Sequence, residues 1–559
     1  MKTPTISPRR LLLVLLPIVV IATAVTAFTW KDENNYYYKV NKGLELFGQV
    51  YREVAQNYVD EIDPEQFINA GVDGMLQTLD PYTVYLKKKD ASDIDLLTSG
   101  AYGGIGITVG MRDSMVTVID VMDGYSAQRE GMRIGDRIRK INDSEVLHGP
   151  VESLREFTRG EPGTTVTIAV MRDGVGKPLT FTLTRENIRV RSVTYSGVIH
   201  DGIGYIKLER FSANAGTELR QAILELRQQG AYGGLVLDLR DNPGGLLEAA
   251  VDVSSKFIPN GSVVVTTRGR DSVEDRVYRS AEEPVAADIP LVVLMNQNSA
   301  SAAEIVAGAI QDLDVGVIMG TQSFGKGLVQ SVRRLPYEST LKITTARYYT
   351  PSGRSIQKID YAKRRGGEPS FGTDSITRTY RTVHGRTVVE HGGIIPDTLV
   401  AATSRAPIVR QLRDASLFFK FATRYTANMK SLPAGFTVDD GLLGEFEDFV
   451  ARNARTAEFS SPSMNKAREL YTVASEEGFD TELLRRIQDL QGEFARERQQ
   501  AMASHHGEIG RELYREIVAR FQRQRERDST GIPDDQQVQA AIGLLKSGRH
   551  IYSSMLTAR

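Results

Sequence analysis

IPLVVLMNQNSASAAEIVAGAIQDLDVGVIMGTQSFGKGLVQ, residues 289–330, decides the fold class. An unbroken apolar run from Ile289 to Met295 has the length of a buried strand. Small and polar residues follow, and apolar side chains then return at helical spacing in Ile305, Val306, Ala309, Ile310 and Leu313. VGVIMG is a second short strand, so the succession strand, helix, strand predicts an α/β fold. Ser301 falls at the strand-to-helix junction. Its S-x-x-E spacing to Glu304 is that of a capping box, which explains the serine without any chemistry. Lys326 stands between Gly325 and Gly327, where missing side chains let another group approach closely. A lysine so placed is a phosphate ligand or a base.

The phosphate alternative rests on Gly320 to Lys326, G-x-x-x-x-G-K after a strand. The next residue is Gly327, so the magnesium-binding hydroxyl of that motif is missing, and LVQSVRRLPY lacks the apolar stripe of a phosphate-cradling helix. Composition narrows the chemistry further. The 559 residues exceed one core, and a net charge of -1 gives no general reason to expect nucleic acid. With no cysteine, thiol nucleophiles, zinc-cysteine clusters and disulfides are excluded; H-E-x-x-H and G-x-S-x-G are absent as well. A hydroxyl nucleophile without metal or cofactor is consistent with this.

Upstream, Lys2, Arg9 and Arg10 precede an uncharged apolar run from Leu11 to Phe28, closed by Lys31, Asp32 and Glu33. The basic flank predicts that the bulk of the chain is exported, to the periplasmic side, with residues 11–28 an uncleaved membrane anchor. A cleaved signal segment ending near Ala24 or Ala27, and hence a secreted protein, is the alternative. Leu44, Phe47, Val50, Tyr51, Val54 and Tyr58 keep helical spacing, and a second helix is expected from Pro64 to Leu79.

Residues 100–187 alternate as a small β-rich domain, with a short helix at SAQREGM and an amphipathic helix at VESLREFT. The glycines around Ile105 free backbone N–H groups to point one way, which suits capture of a peptide's terminal carboxylate, while the adjacent strand edge suits an added peptide strand. Gly104, Ile105, Gly106 and Ile107 are the candidate peptide-binding residues, and the order of loop, turn and helix resembles a PDZ domain. From Arg191 strands alternate with helices, and Asp241-Asn-Pro-Gly-Gly245 lies at a second strand-to-helix junction. Asn-Pro-Gly is ordinary turn chemistry. Gly244 and Gly245 are nonetheless candidate oxyanion donors, because two such junctions predict one cleft at the strand ends.

DLRDNPGG, NSASAAEIVAGAIQD and TQSFGKGLVQ in this order, with a PDZ-like module upstream and TTARYYTPSGRSIQ and HGGIIPD downstream, resemble the carboxyl-terminal processing (tail-specific) peptidases. The resemblance runs from about Val40 to Asp397, and Ala303 departs from a serine common there. It implies a Ser/Lys protease with a crotonase-like core of repeated β-β-α units. By position it places the nucleophile on Ser301 rather than Ser299, the general base on Lys326, and the residue that orients the lysine on Gln330. Such a lysine must be neutral, and a free one titrates near ~10.4, so burial has to depress its pKa by several units. If LVQSV is a strand, even spacing puts Gln330 on the Lys326 face, where an amide bonds an amine without recharging it. Ala302 N–H at the helix start would join Gly244 and Gly245 in holding the oxyanion. A Ser/His/Asp triad using His200 or His391 with Asp238 is the rival mechanism; a catalytically silent PDZ-type scaffold is the rival function.

The expected organisation is an anchor or signal segment over 1–30, N-terminal helices over 31–99, the PDZ-like domain over 100–187, the protease core over 188–404 and a helical extension over 405–559. In the extension TELLRRIQDLQGEFARERQQ and GRELYREIVARFQRQRER are the clearest helices, the second with Leu513, Ile517 and Phe521 along one face. Homo-oligomerisation or adaptor docking through these helices stands beside a plain solvated face.

Overall fold

The computed structural model describes residues 36–87, 100–146, 157–271, 273, 275–365, 368–371, 378–390, 392–453 and 462–558. The anchor expected over 11–28 therefore lies outside the described residues, as do His391 and most of VESLREFT. Among the described residues no helix is long and apolar enough to cross a membrane.

The chain divides into two compact units, residues 1–85 and 86–559. In the first, a helix over 36–57 is followed by the helix Pro64–Leu76, whose start is capped by the Asp63 carboxylate on the N–H groups of Glu65 and Gln66. Tyr51 stacks on Phe67 at 5.6 Å, and the Phe47 ring lies over Gly71, where a Cβ would stand 3.1 Å from it.

The second unit is built on a six-stranded sheet of β1 (Val193–His200), β2 (Ile203–Leu208), β3 (Gly234–Asp238), β4 (Leu291–Met295), β5 (Val317–Gly320) and β6 (Thr398–Leu399), in that spatial order. Only the β1–β2 pair is antiparallel. Parallel neighbours need crossovers, supplied by the helices α1 (Ala215–Gln228), α2 (Leu247–Ser255) and α3 (Ala302–Asp312). All three pack on one face, against Ile206, Leu208, Leu235, Leu237, Val293 and Ile318. The opposite face, with Tyr205, Val236, Val292, Leu294, Val317 and Met319, is covered by Val538, Ala541, Ile542 and Leu545 of the helix Gln536–Lys546. Covering both faces is why LVVLM is an unbroken apolar run. An antiparallel sheet beside this core pairs Leu328–Arg334 with Thr340–Tyr349, which pairs with Val263–Gly269 and through it Arg276–Arg279.

The β-rich domain orders its strands Ile107–Arg112, Met115–Val121, Arg137–Ile141, Thr165–Met171 and Leu179–Thr184, with Ala101–Gly104 paired separately to Glu186–Arg189. Ile107–Arg112 is the edge strand. The helical extension has a core of its own: Phe418 stacks on Phe446 at 5.0 Å, and Leu412, Leu513 and Ile517 are fully buried around them. Here the sequence-based helix needs a correction. His506–Val518 stops before Phe521, and a separate short helix, Gln524–Thr530, begins after Arg523 takes an extended conformation. Leu513 and Ile517 share the buried face without Phe521 in the same helix.

Candidate active site

Strands β3 and β4 are parallel neighbours, so the turns leaving their C-terminal ends lie side by side. Hydrogen bonds stitch the turns together. The Asn296 and Asn298 amides donate to Asp241 Oδ1 at 2.9 and 2.8 Å, Asp241 N–H donates to Asn296 Oδ1, and Ala300 N–H donates to the Asn242 carbonyl. Asn242, fully buried, anchors its own turn by donating to the Leu208 carbonyl at 2.7 Å. Gly244 closes the gap. A Cβ there would stand 2.8 Å from Ser301 Cβ and 2.9 Å from Ala302 N, and its φ of +100° disfavours any side chain.

Ser301 precedes α3 with φ +54° and ψ -114°, an unusual backbone for a residue with a side chain. It is half-buried, and its carbonyl accepts the N–H groups of Glu304 and Ile305. Ser299 is different: it is fully buried, donating its hydroxyl to the Leu239 carbonyl at 2.8 Å and accepting Asn296 N–H.

The Glu304 carboxyl is the hub of the site. Oε2 accepts the N–H of Ser301 and the N–H of Lys326, each at 2.9 Å; Oε1 accepts Gly325 N–H at 2.8 Å and the Ser323 hydroxyl at 2.5 Å. Complete burial pushes this carboxyl up to about 7 against those four donors, which favour the ionised form. Around it the backbone of residues 325–327 is fully paired. Gly327 N–H donates to Gln357 Oε1, and the carbonyls of Gly325, Lys326 and Gly327 accept from Lys358 N–H, the Tyr348 hydroxyl and Tyr348 N–H. Lys326 itself is half-buried, on a main chain with no unpaired group.

One expected role needs revision, and the expected face of another is left open. Gly244 N–H already donates to Asn242 Oδ1 at 2.8 Å, so it is not available to an oxyanion. The N–H groups of Gly245 and Ala302 carry no hydrogen bond among the described residues. Gln330 lies on the expected strand, but that strand begins only at Leu328 and bulges between Val329 and Gln330, so alternation counted from Lys326 does not fix its face. Its amide donates to Leu328 O and Thr344 Oγ1, both at 3.3 Å.

The rival sites lose their parts. Asp238 is fully buried between Arg240 and the Tyr205 hydroxyl, while His200 is engaged with Lys546. The Lys326 loop leads into a strand, without the helix N-terminus a phosphate needs. Asp312 pairs with the buried Arg354 guanidinium at 2.9 Å and holds the far end of α3. Among the described residues no group of three or more His, Asp or Glu could hold a metal. In the peptide-binding candidate, Gly104 ends the strand Ala101–Gly104, Ile105 buries its side chain, and Ile107 begins the edge strand. The loop proper is Ile105–Gly106, and Gly106, with φ +81°, leaves no room for a Cβ against Tyr125. Neither Tyr348 nor the Asn296 and Asn298 stitching is legible in the residue order; the alternating burial of Ala346, Tyr348 and Thr350 shows in the structure alone.

Comparison with known proteins follows this geometry. Residues 202–363 match peptidase family S41, 103–184 a PDZ domain, 22–90 the activating protease CtpB N-terminal domain and 408–545 a probable PDZ-protease C-terminal helical domain. The chain is 37% identical over 345 residues to a carboxy-terminal-processing protease of Bartonella bacilliformis, covering 61% of this chain and 77% of that one. It is 31% identical to the carboxy-terminal processing protease CtpA of Bacillus subtilis, covering 62% and 75%. A solved photosystem II D1 C-terminal processing protease is 26% identical, covering 64% and 92%, at a TM-score of 0.35. The junction serine, the glycine-flanked lysine and the PDZ module thus sit in a chain that belongs to the carboxy-terminal-processing proteases of peptidase family S41, which makes it a serine-type protease.

Proposed function

We propose that the chain is a Ser/Lys endopeptidase that cleaves near the C-terminal tails of exported proteins, with Ser301 as nucleophile and Lys326 as general base. One observation carries this: the N–H groups of Ser301 and Lys326 converge on a single Glu304 oxygen, so the junction serine and the glycine-flanked lysine belong to one hydrogen-bonded unit. Ser301 becomes a competent nucleophile when a base takes its proton, and Lys326 serves only as a neutral amine. A carboxylate beside the amine would oppose that. The Glu304 oxygens are instead turned to backbone N–H groups and a hydroxyl, and burial draws the carboxyl toward its neutral form.

Gly245 and Ala302 N–H groups are the proposed oxyanion donors, the latter aided by the first turn of α3. Gln330 remains the proposed orienting amide for Lys326. Substrate enters as a tail whose terminal carboxylate meets the Ile105–Gly106 loop and whose backbone extends the edge strand Ile107–Arg112, the use for which a PDZ domain is fitted. The alternation of β2, α1, β3, α2, β4 and α3 supports a crotonase-like arrangement of the core. The basic flank and apolar run at residues 9–28 support export and membrane tethering through that segment.

The test is cleavage of an unstructured protein with a free C-terminal tail by the purified chain and its Ser301→Ala and Lys326→Ala variants. Both variants are expected to be inactive. Unchanged cleavage by either overturns the Ser/Lys assignment, and tail binding without any cleavage by the unaltered chain favours the scaffold.

A further inference from the structure

Three hydrogen bonds place Tyr348 at the centre of the machinery. It lies at the end of the strand Thr340–Tyr349, 1% exposed, and its hydroxyl reaches two carbonyl oxygens: that of Lys326, the closer, and that of Ser301 at 3.1 Å. Its own N–H donates to the Gly327 carbonyl at 3.0 Å. The residue thus holds the lysine segment by side chain and main chain together.

We propose that Tyr348 is a positioning residue for catalysis: by binding the Lys326 carbonyl, and secondarily the Ser301 carbonyl, its hydroxyl sets the separation of the nucleophile and the base. The proposal rests on the Ser/Lys assignment above. Glu304 gathers the two N–H groups and Tyr348 the two carbonyls, so residues 301 and 326 are each held at the peptide before and the peptide after the side chain. The two grips differ in consequence. Ser301 O already accepts two helix N–H groups, from Glu304 and Ile305, and keeps them without the phenol. Removing the hydroxyl therefore takes the hydrogen bond chiefly from the Lys326 carbonyl, and leaves that segment held through Lys326 N–H on Glu304 and Gly327 N–H on Gln357. Rotation of the Lys326 peptide about those anchors would change where the amine stands relative to Ser301 and expose it to water, which favours its charged form. Small misplacements of reacting groups are costly in rate.

The experiment is Tyr348→Phe in the full chain, which removes one hydroxyl from a buried ring and keeps its volume. The expected result is a fall in kcat of about tenfold to a hundredfold at unchanged KM, with the rising limb of the kcat–pH profile displaced to higher pH. A variant with 4-aminophenylalanine at position 348 offers two N–H donors at the same place, one per carbonyl, and is expected to recover at least half of the wild-type kcat. A Tyr348→Phe protein with kcat within twofold of wild type and an unmoved profile overturns the proposal; so does a rise in KM alone, or an aminophenylalanine protein that folds but stays as impaired as Tyr348→Phe. If Tyr348→Phe does not accumulate as folded protein, the aminophenylalanine comparison with wild type still decides. Lys326→Ala in the same assay separates the two claims: activity there defeats the Ser/Lys assignment itself, whereas an inactive Lys326→Ala beside a fully active Tyr348→Phe defeats only the positioning role.

Discussion

Gly244 and Ser301 are in contact through their α-carbons' surroundings: a single Cβ added to Gly244 would stand 2.8 Å from the Ser301 Cβ. The turn that ends β3 is thereby pressed onto the turn that ends β4, so that a side chain at position 244 would also stand 2.9 Å from Ala302 N.

Gly244→Ala crowds Ser301 and Ala302 N–H and asks alanine to adopt φ +100°. The expected result is a loss in kcat of at least about a hundredfold, the scale of removing one oxyanion donor. Tail affinity should be unchanged. Steady-state kinetics and tail binding by fluorescence anisotropy check it, and near-wild-type kcat would show that Ala302 N–H is not used.

Glu304 makes stability depend on pH in a defined sense. Its carboxyl, raised from 4.5 to about 7 by burial, binds its proton more tightly folded than unfolded. Its contribution is therefore full below pH ~4.5 and is lost as pH rises through about 7, a fall on the order of 3 kcal/mol. Glu304→Gln removes that dependence while turning an N–H₂ group toward backbone donors. Urea unfolding of both proteins from pH 5 to pH 8 should show the stability advantage of wild type shrinking with pH. A difference that grows with pH would contradict the assignment.

The helical extension reaches the turn that ends β3 through Arg240. This guanidinium binds Asp238 and, at 2.8 Å, Asp535, whose carboxylate also caps the helix Gln536–Lys546 on Gln537 and Val538 N–H. Asp535→Ala loses a cap and one partner of a largely buried arginine. The expected cost is roughly 2–4 kcal/mol, reduced from the fully buried case by solvent at Asp535. Chemical denaturation checks it, and a cost under about 0.5 kcal/mol would mean the contact is ornamental.

Much of the site could be read from residue order. Ser301 at a strand-to-helix junction, Lys326 between glycines and the Asp241–Gly245 turn are local patterns, and parallel pairing of β3 with β4 brings the two turns together, as two junctions in an α/β chain predict. Illegible were the contacts that depend on distant segments. Nothing near Tyr348 says that its ring ends between residues 301 and 326. Nothing in LVVLM says that its second face is covered by Leu545 and its neighbours, from more than two hundred residues away. Gly244 N–H was assigned to the oxyanion because a glycine turn exposes its amides, and Asn242, two residues earlier, had already taken it. Counting leaves the Gln330 face open for a related reason: a bulge resets the period that alternation assumes.

Tail recognition is expected to depend on the terminal carboxylate. A substrate with an amidated C-terminus should show KM raised about tenfold or more with kcat little changed, the signature of a loop that binds the tail without acting on the reacting groups. Gly106→Ala should weaken the free-acid substrate to the same degree, because its Cβ would stand 2.6 Å from Tyr125 Cβ at φ +81°. Equal KM values for acid and amide would remove the loop from substrate binding.

The central claim is that neutral Lys326 activates Ser301. Its most direct measurement is the pH dependence of covalent labelling by a fluorophosphonate, with the modified residue located by peptide mass spectrometry. The expected result is labelling of Ser301 alone, at a rate that rises with an apparent pKa several units below the ~10.4 of a free lysine and is abolished by Lys326→Met. Labelling that persists with the same pH profile in Lys326→Met, or that falls on Ser299, would contradict it.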